Sequence, residues 1–365
     1  MSRLSNLWAH ISGWLFPALE EALEPLSEKQ QQFVTVCELA QLDNHMAPYR
    51  GHRLGRDKMP RVDFAKAFVA KAVYDLAATN MLRERLVSDK TLRRLCGWQH
   101  VGDVPSESSF SRAFAEFAHG DLGSRVHAAM VQAHCGDKLF GHLSRDATAI
   151  AAREKGVAPQ KKETADKPKH KRGRPRKGEK REPADPKRLE LQPARSLEEN
   201  LKDLPTACDW GCKKNSQGKV ERWKGYKLHV DCADGGIPVS VVVTSASTHD
   251  SQVAIPLAQM SAGRVSSLYD LMDAAYDAQA IRDFSRGLGH VAIIDRNRRG
   301  QEIAPMEPAT ARRYDERTTV ERFNADLKDN HGGRHVRVRG HWKVQLHLMF
   351  GVIAITGLQL IRLLE

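Results

Sequence analysis

The stretch Tyr314-Asp315-Glu316-Arg317-Thr318-Thr319-Val320-Glu321-Arg322-Phe323-Asn324-Ala325-Asp326-Leu327-Lys328 decides how this chain is read. The spacing predicts one amphipathic helix over 314–328. At roughly 100° per residue, Tyr314, Arg317, Glu321 and Lys328 fall within an arc of about 60°. Val320, Phe323 and Leu327 cluster nearly opposite, so one face is apolar and can pack on a sheet. The other presents a hydroxyl, a guanidinium, a carboxylate and an ammonium together. Taken alone, a solvated charged face is the plainer reading.

Two aspartates upstream change that weighting. Leu139 to Ser144 reads as a strand that ends at Asp146, and Ser267 to Met272 as another that ends at Asp273. Between them lie strand-like segments at Tyr226 to Val230 and Pro238 to Thr244 and a helix over about Gln252 to Met260. A helix from about Ala278 to Arg286 and a strand at Val291 to Ile294 follow. Strands mixed with helices predict an α/β domain with a mixed sheet. Carboxylates at the ends of neighbouring strands converge at one sheet edge, where a packed helix adds a third. Hard oxygen donors in that arrangement suit Mg2+. Two such ions, roughly 3.5–4 Å apart, would stabilise the attacking and leaving oxygens of in-line phosphoryl transfer. An adjacent Arg and Lys would neutralise charge on the phosphate.

The pattern Tyr314-(2)-Arg317-(3)-Glu321-(6)-Lys328 resembles the Y-(2)-R-(3)-E-(6)-K signature of DDE transposases, in the form found in the insertion-sequence-four and insertion-sequence-five-like superfamily of bacterial mobile elements. Asp146-Ala147-Thr148 is similar to the segment holding that family's first catalytic aspartate, and Asp273-Ala274-Ala275-Tyr276-Asp277 to the one holding its second. Leu92 to Gly97, followed by Val104 to Arg112, is similar to the family's N-terminal helical domain. The resemblance runs from about residue 60 to the C-terminus. It implies an RNase H-like catalytic fold, two Mg2+ or Mn2+ ions, binding to terminal inverted repeats and to target DNA, and a homodimer in the DNA complex. Asp146, Asp273 and Glu321 inherit the metal-ligand roles, and Tyr314, Arg317 and Lys328 auxiliary roles near the phosphate. Asp277 competes with Asp273 for the second position, and Asp295 does so more weakly. Thr248-His249-Asp250 ends a strand near the same edge but is not taken as a ligand. Two rivals share the sequence: a DNA-binding regulator derived from a transposase, and an RNase H-like nuclease that hydrolyses without strand transfer.

The expected organisation is a helical DNA-binding region over 1–136, with its core at about 60–136, and a catalytic domain over 137–365 interrupted by a basic disordered insert at about 155–200. Phe64, Phe68, Val69, Ala72 and Val73 recur at helical spacing. Gly102-Asp103-Val104-Pro105 breaks the pattern, and Ser106 stands where an N-cap belongs before a helix through Phe110, Phe114 and Phe117. Helix, break, helix is the outline of a helix-turn-helix, with Ser108, Ser111 and Arg112 exposed and Arg112 a DNA-contact candidate. An ordinary helical bundle fits the same pattern.

Charge agrees with a polyanionic partner. The 365 residues carry 57 basic and 45 acidic side chains, a formal net charge of +12. Residues 160–188 hold thirteen Lys/Arg and five Asp/Glu and no Val, Ile, Leu, Met, Phe, Trp, Tyr or Cys. Such a segment buries too little apolar surface to fold alone. Within it, Lys171-Arg172-Gly173-Arg174-Pro175-Arg176-Lys177 resembles an AT-hook, whose extended arginines enter the minor groove of A·T-rich DNA. A basic tract binding phosphates without preference has the same composition.

Six cysteines are few for the length, Leu7 to Leu19 lacks a basic n-region, and a reduced bacterial cytoplasm with association to the nucleoid is expected. The apolar stretch Val344 to Leu364 includes Gln345, His347, Gln359 and Arg362 and reads as a buried core helix rather than a membrane span. Cys208, Cys212, His229 and Cys232 have spacing that a zinc site tolerates, but isolated thiols are the preferred reading. Trp210 and Trp223 are expected in the core, and Trp342, in a basic context, is the tryptophan best placed to meet DNA.

Overall fold

The computed structural model describes residues 3–46, 59–156, 186–214, 218–297 and 305–364. Among these residues eight α-helices come first: α1 (Arg3–His10), α2 (Phe16–Ala22), α3 (Glu28–Ala40), α4 (Arg61–Val73), α5 (Thr79–Ser88), α6 (Lys90–Leu95), α7 (Glu107–His119) and α8 (Leu122–Cys135). Local chemistry sets several starts. Ser27 and Gln30 form a reciprocal capping box at α3. Ser106 caps α7, accepting from the Ser109 amide at 3.4 Å, as the sequence predicts. Phe68 stacks on Phe350 with ring centroids 5.6 Å apart and meets Phe110, Phe114 and Phe117 edge-on.

The chain then enters β1 (Leu139–Ala151), short helices α9 (Arg188–Leu191) and α10 (Leu197–Asp203), and strands β2 (Asp209–Lys214), β3 (Val220–Ala233) and β4 (Ile237–Ser245). Next come α11 (Ser251–Ala262), β5 (Ser266–Met272), α12 (Gln279–Gly287) and β6 (Val291–Ile294). Helices α13 (Pro308–Asp315), α14 (Thr318–Asn330) and α15 (His341–Arg362) complete the order.

The six strands of the described residues form one mixed sheet. Strand β3 lies antiparallel between β1 and β4, while β5 runs parallel to β1 and β6 parallel to β5. This is an RNase H-like sheet, preceded by a helical region. β3 is long enough to change neighbours, pairing with β2 up to Gly225 and with β4 from Tyr226. Gly225 has φ +154°, and a Cβ there would collide with the Ile150 carbonyl oxygen of β1. α11 covers one face of the sheet; α14 and α15 cover the other, over Ile150, Tyr226, Leu228 and Val230.

Three expectations are corrected here. β1 does not end at Asp146 but continues to Ala151, because residues 143–151 pair rung by rung with β3; the run of alanines hides this strand from a propensity reading. The helix expected over 314–328 is broken between Asp315 and Thr318, where the amides of Arg317, Thr319 and Val320 bond carbonyls three residues back instead of four, and Ser144 Oγ adds a bond to the Glu316 carbonyl at 3.2 Å. The segment expected to be disordered over about 155–200 is folded at its C-terminal end. There Leu189, Leu201 and Leu204 supply apolar anchors toward α11 and its surroundings, and Asn200 bonds the Gln192 carbonyl at 3.0 Å.

Helix α15 is long and apolar enough to cross a membrane by length and composition, yet 78% of its apolar window is buried inside the fold, as a core helix is. It packs on α3, α4, α7 and α8 as well as β4. Gly123 of α8 permits the close approach, since a Cβ there would stand 2.6 Å from Met349 Cβ. The helices of the first 136 residues therefore share an apolar core with the last helix of the chain.

Candidate active site

Strand alternation separates two charged neighbours. Arg145 points toward α11, where it is buried in a bidentate pair with Asp231, both bonds 2.7 Å. Asp146 points to the opposite face, beneath α14. Its Oδ2 accepts from Asn324 Nδ2 of α14 at 3.0 Å. β1 and β5 pair in parallel with Arg145 opposite Met272, so Asp146 and Asp273 are the next residues of adjacent strands. Asp273 also caps the short turn that follows, accepting from the Ala275 amide at 2.9 Å.

Arg317 gathers the acids. At the N-cap of α14, its guanidinium lies 3.6 Å from Asp146 Oδ1, 3.7 Å from Asp273 Oδ2 and 2.6 Å from Glu321 Oε1. Its side chain is 17% exposed, whereas that of Glu321 is 54% exposed at the open side of the cluster. The break before α14 leaves Tyr314 on α13, and it still faces this group. Burial pushes its phenol up to about 12, and Asp295, Asp273 and Glu321 push the same way. Lys328, on α14, is lowered by burial and by Lys213 and Arg334, with Asp146 opposing. The structure thus brings all six sequence-predicted residues, Asp146, Asp273, Glu321, Tyr314, Arg317 and Lys328, into one neighbourhood.

Electrostatic stress is concentrated on the aspartates. Burial drives the Asp146 carboxyl up to about 6; Arg317 opposes the rise and Asp273 reinforces it. Asp273 is raised for the same first reason, with Asp250 and Asp295 adding to it. Asp250, at the N-terminus of α11, pairs with Lys227 at 2.8 Å. Asp277 is engaged elsewhere, with Arg282 at 2.9 Å and the Asn297 amide at 3.1 Å.

Sequence reasoning missed Asn324. Its position three residues beyond Glu321 on the same helix was the available signal. The other candidates fall apart spatially. Arg112 is exposed on α7, and Arg172, Arg174 and Arg176 lie outside the described residues. Cys208 and Cys232 are buried, Cys212 is exposed, and His229 bonds Thr244 Oγ1 at 2.9 Å. Trp223 donates its indole N–H to the Tyr226 carbonyl at 3.0 Å, but Trp210 is 61% exposed, against the expectation that it packs in the core.

Residues 140–356 match the family described as the transposase DDE domain. The chain belongs to the DDE transposase family. Residues 19–116 of the transposase also match a family described as a transposase domain (DUF772), so a second transposase model covers much of the helical region. No curated protein matches the chain, and no solved structure does.

DDE transposases act on DNA and use divalent metal ions. The donor set here fits them: three hard carboxylates gathered about a single guanidinium, with both aspartates raised by burial. Among the described residues no three Asp, Glu, His or Cys side chains form a closed metal cage.

Proposed function

We propose that this transposase binds the terminal inverted repeats of its own element, cleaves the DNA ends and joins the freed 3′-hydroxyl to target DNA. The observation that carries the reading is Arg317, held between Asp146, Asp273 and Glu321. In this reading Asp146, Asp273 and Glu321 hold two Mg2+ or Mn2+ ions. Bound there, the metal supplies Lewis-acid stabilisation of the attacking and leaving oxygens. Arg317 and Lys328 place positive charge against the scissile phosphate, and Tyr314, kept protonated by burial, offers it a hydroxyl donor. The α14 face excludes water on one side of Asp146 and leaves Glu321 open to the substrate. Residues 1–136 supply recognition of the element ends, with Arg112 among the contacts, and 137–365 the chemistry. Two copies act together on paired ends, in the cytoplasm at the nucleoid.

The test uses full-length protein and the DNA that flanks its gene, where short inverted repeats bracketed by a direct duplication are expected. Asp273→Asn keeps DNA binding and nearly abolishes cleavage in Mg2+. Asp146→Asn and Glu321→Gln behave alike, and the triple variant is no worse than one, since ligands of one site act as a unit. Asp277→Asn, tied to Arg282, leaves substantial cleavage. An active Asp273→Asn beside an inactive Asp277→Asn would reassign the second ligand. Activity in all four single variants would sink the carboxylate mechanism, and cut ends that never appear joined to target would reduce the protein to a nuclease.

A further inference from the structure

Two tryptophans sit near one another in sequence on the β2–β3 ribbon and have opposite fates. The ring of Trp223 covers Gly211 and its N–H is bonded, so it serves the fold. Trp210 serves no core and is 61% exposed. β2 lies at the edge of the sheet, paired with the first half of β3. Trp210 stands opposite Lys224, and Cys212 opposite Arg222. Opposite residues share a face, so two alternate rungs present an indole, a thiol and two cations side by side. Trp210, Cys212 and Arg222 are exposed and Lys224 is half-buried.

That face is the one the site uses. Further along β3, alternate residues of the same parity, Tyr226, Leu228 and Val230, pack against α14 and α15. Lys328 of α14 feels the ammonium of Lys213, a β2 residue that alternates to the face opposite Trp210, so the ribbon as a whole lies within electrostatic reach of the helix. β2 already carries the edge charges Lys213 and Lys214 that discourage unwanted pairing, so the exposed indole of Trp210 is not needed for that role. Indole beside cations in a row is instead how proteins hold nucleic acid strands, with bases stacked on rings and phosphates on cations. Bases inside a duplex are already stacked on both faces, so an exposed ring selects an unpaired base.

We propose that the Trp210–Lys224–Arg222 face of the ribbon binds an unpaired stretch of DNA strand beside the cleavage site, one base stacking on Trp210 and the phosphates lying on Arg222 and Lys224. This rests on the reading of the protein as a DNA-cutting enzyme. It adds a single-strand contact surface outside the carboxylate cluster.

Fluorescence anisotropy with the full-length chain tests it, using a roughly 20-nucleotide oligothymidine and a mixed-sequence duplex of about equal length as probes. Trp210→Ala weakens oligothymidine binding by about 5-fold or more and leaves duplex binding within about 2-fold, while Trp210→Phe keeps most of the affinity. Arg222→Gln with Lys224→Gln lowers the slope of log affinity against log salt by about 1.4 on the single strand. Cys212 provides a covalent check, being exposed and in the same strip: an oligothymidine with a disulfide tether couples to the wild type and not to Cys212→Ser. Unchanged oligothymidine binding in a folded Trp210→Ala variant overturns the proposal, as does an equal loss on the duplex. Wild-type protein that binds neither probe overturns the DNA reading along with it.

Discussion

Asn324 donates its side-chain amide to Asp146 Oδ2 at 3.0 Å, across 178 residues of sequence. The bond fixes which oxygen of Asp146 remains for other partners, since Oδ1 faces Arg317. The Asn324 Oδ1 atom is buried without a hydrogen-bond partner, so the side chain is oriented by this donation alone. Groups that orient a metal ligand typically affect metal affinity by about 10–100-fold. With Asp146 a metal ligand, as proposed, Asn324→Leu, which keeps volume and removes the donor, is expected to weaken Mn2+ binding by about that factor. Electron paramagnetic resonance of free Mn2+ in a titration measures it, with circular dichroism to show an intact fold. Wild-type affinity in Asn324→Leu would remove Asn324 from the site.

Asp146 places a cost on stability that depends on pH. Its carboxyl is raised to about 6 by burial, above the ordinary carboxylate value. The folded state therefore holds the proton more tightly than the unfolded chain does. The stabilisation is fully present below about pH 4 and is lost as pH rises through about 6. In metal-free protein at neutral pH, Asp146→Asn is expected to stabilise by about 1–3 kcal/mol. The gain appears as a higher Tm at pH 7.5 that shrinks toward pH 4. A lower Tm at pH 7.5 in the Asn variant would contradict the argument.

The Arg145–Asp231 pair holds the register that sets Asp146 beside Asp273. Both side chains are almost fully buried, Ser261 Oγ adds a bond to Asp231 Oδ2 at 2.7 Å, and Arg145 also meets Met272 Sδ at 3.4 Å. Removing one partner leaves a buried charge uncompensated, at about 3–5 kcal/mol. Asp231→Ala is expected to lose about that much in urea unfolding. A double replacement of both residues by apolar side chains of similar volume is expected to recover much of it. A loss below about 1 kcal/mol would mean the pair is not what holds these strands.

Two buried histidines make the fold sensitive to acid. Burial lowers His127 to about 3 and His229 to about 4. His127 Nε2 lies 2.8 Å from the Pro238 carbonyl and joins α8 to β4. Both rings are neutral in the folded protein, whereas the unfolded chain protonates them near 6.5. Stability is therefore present above that value and lost as pH falls toward 4, by about 2 kcal/mol per ring at pH 5. His127→Gln keeps a donor for Pro238 and removes the titration. It is expected to flatten the fall in Tm between pH 7 and pH 5, and an unchanged fall would clear His127 of that role.

Local patterns were legible from the chain alone. Periodicity gave the apolar face of α14 and the buried α15, hydroxyl chemistry gave the Ser106 cap, and the apolar run ending at Met272 placed Asp273 just past a strand. The spacing of Tyr314, Arg317, Glu321 and Lys328 was enough to suggest the family, because it is a pattern within fifteen consecutive residues, although the fold divides them between α13 and α14. What the sequence could not supply is pairing between distant segments. The continuation of β1 to Ala151 depends on rungs with β3, and the turn before α14 is met by Ser144, 172 residues earlier. Asn324 became a site residue only because helix docking set it over Asp146, and Trp210 an exposed one only because β2 became an edge. Backbone propensity and periodicity act over a few residues, whereas sheet register and helix docking minimise the energy of the whole core. The meeting of Asp146 and Asp273 with the local Arg317–Glu321 pair therefore belongs to the tertiary structure.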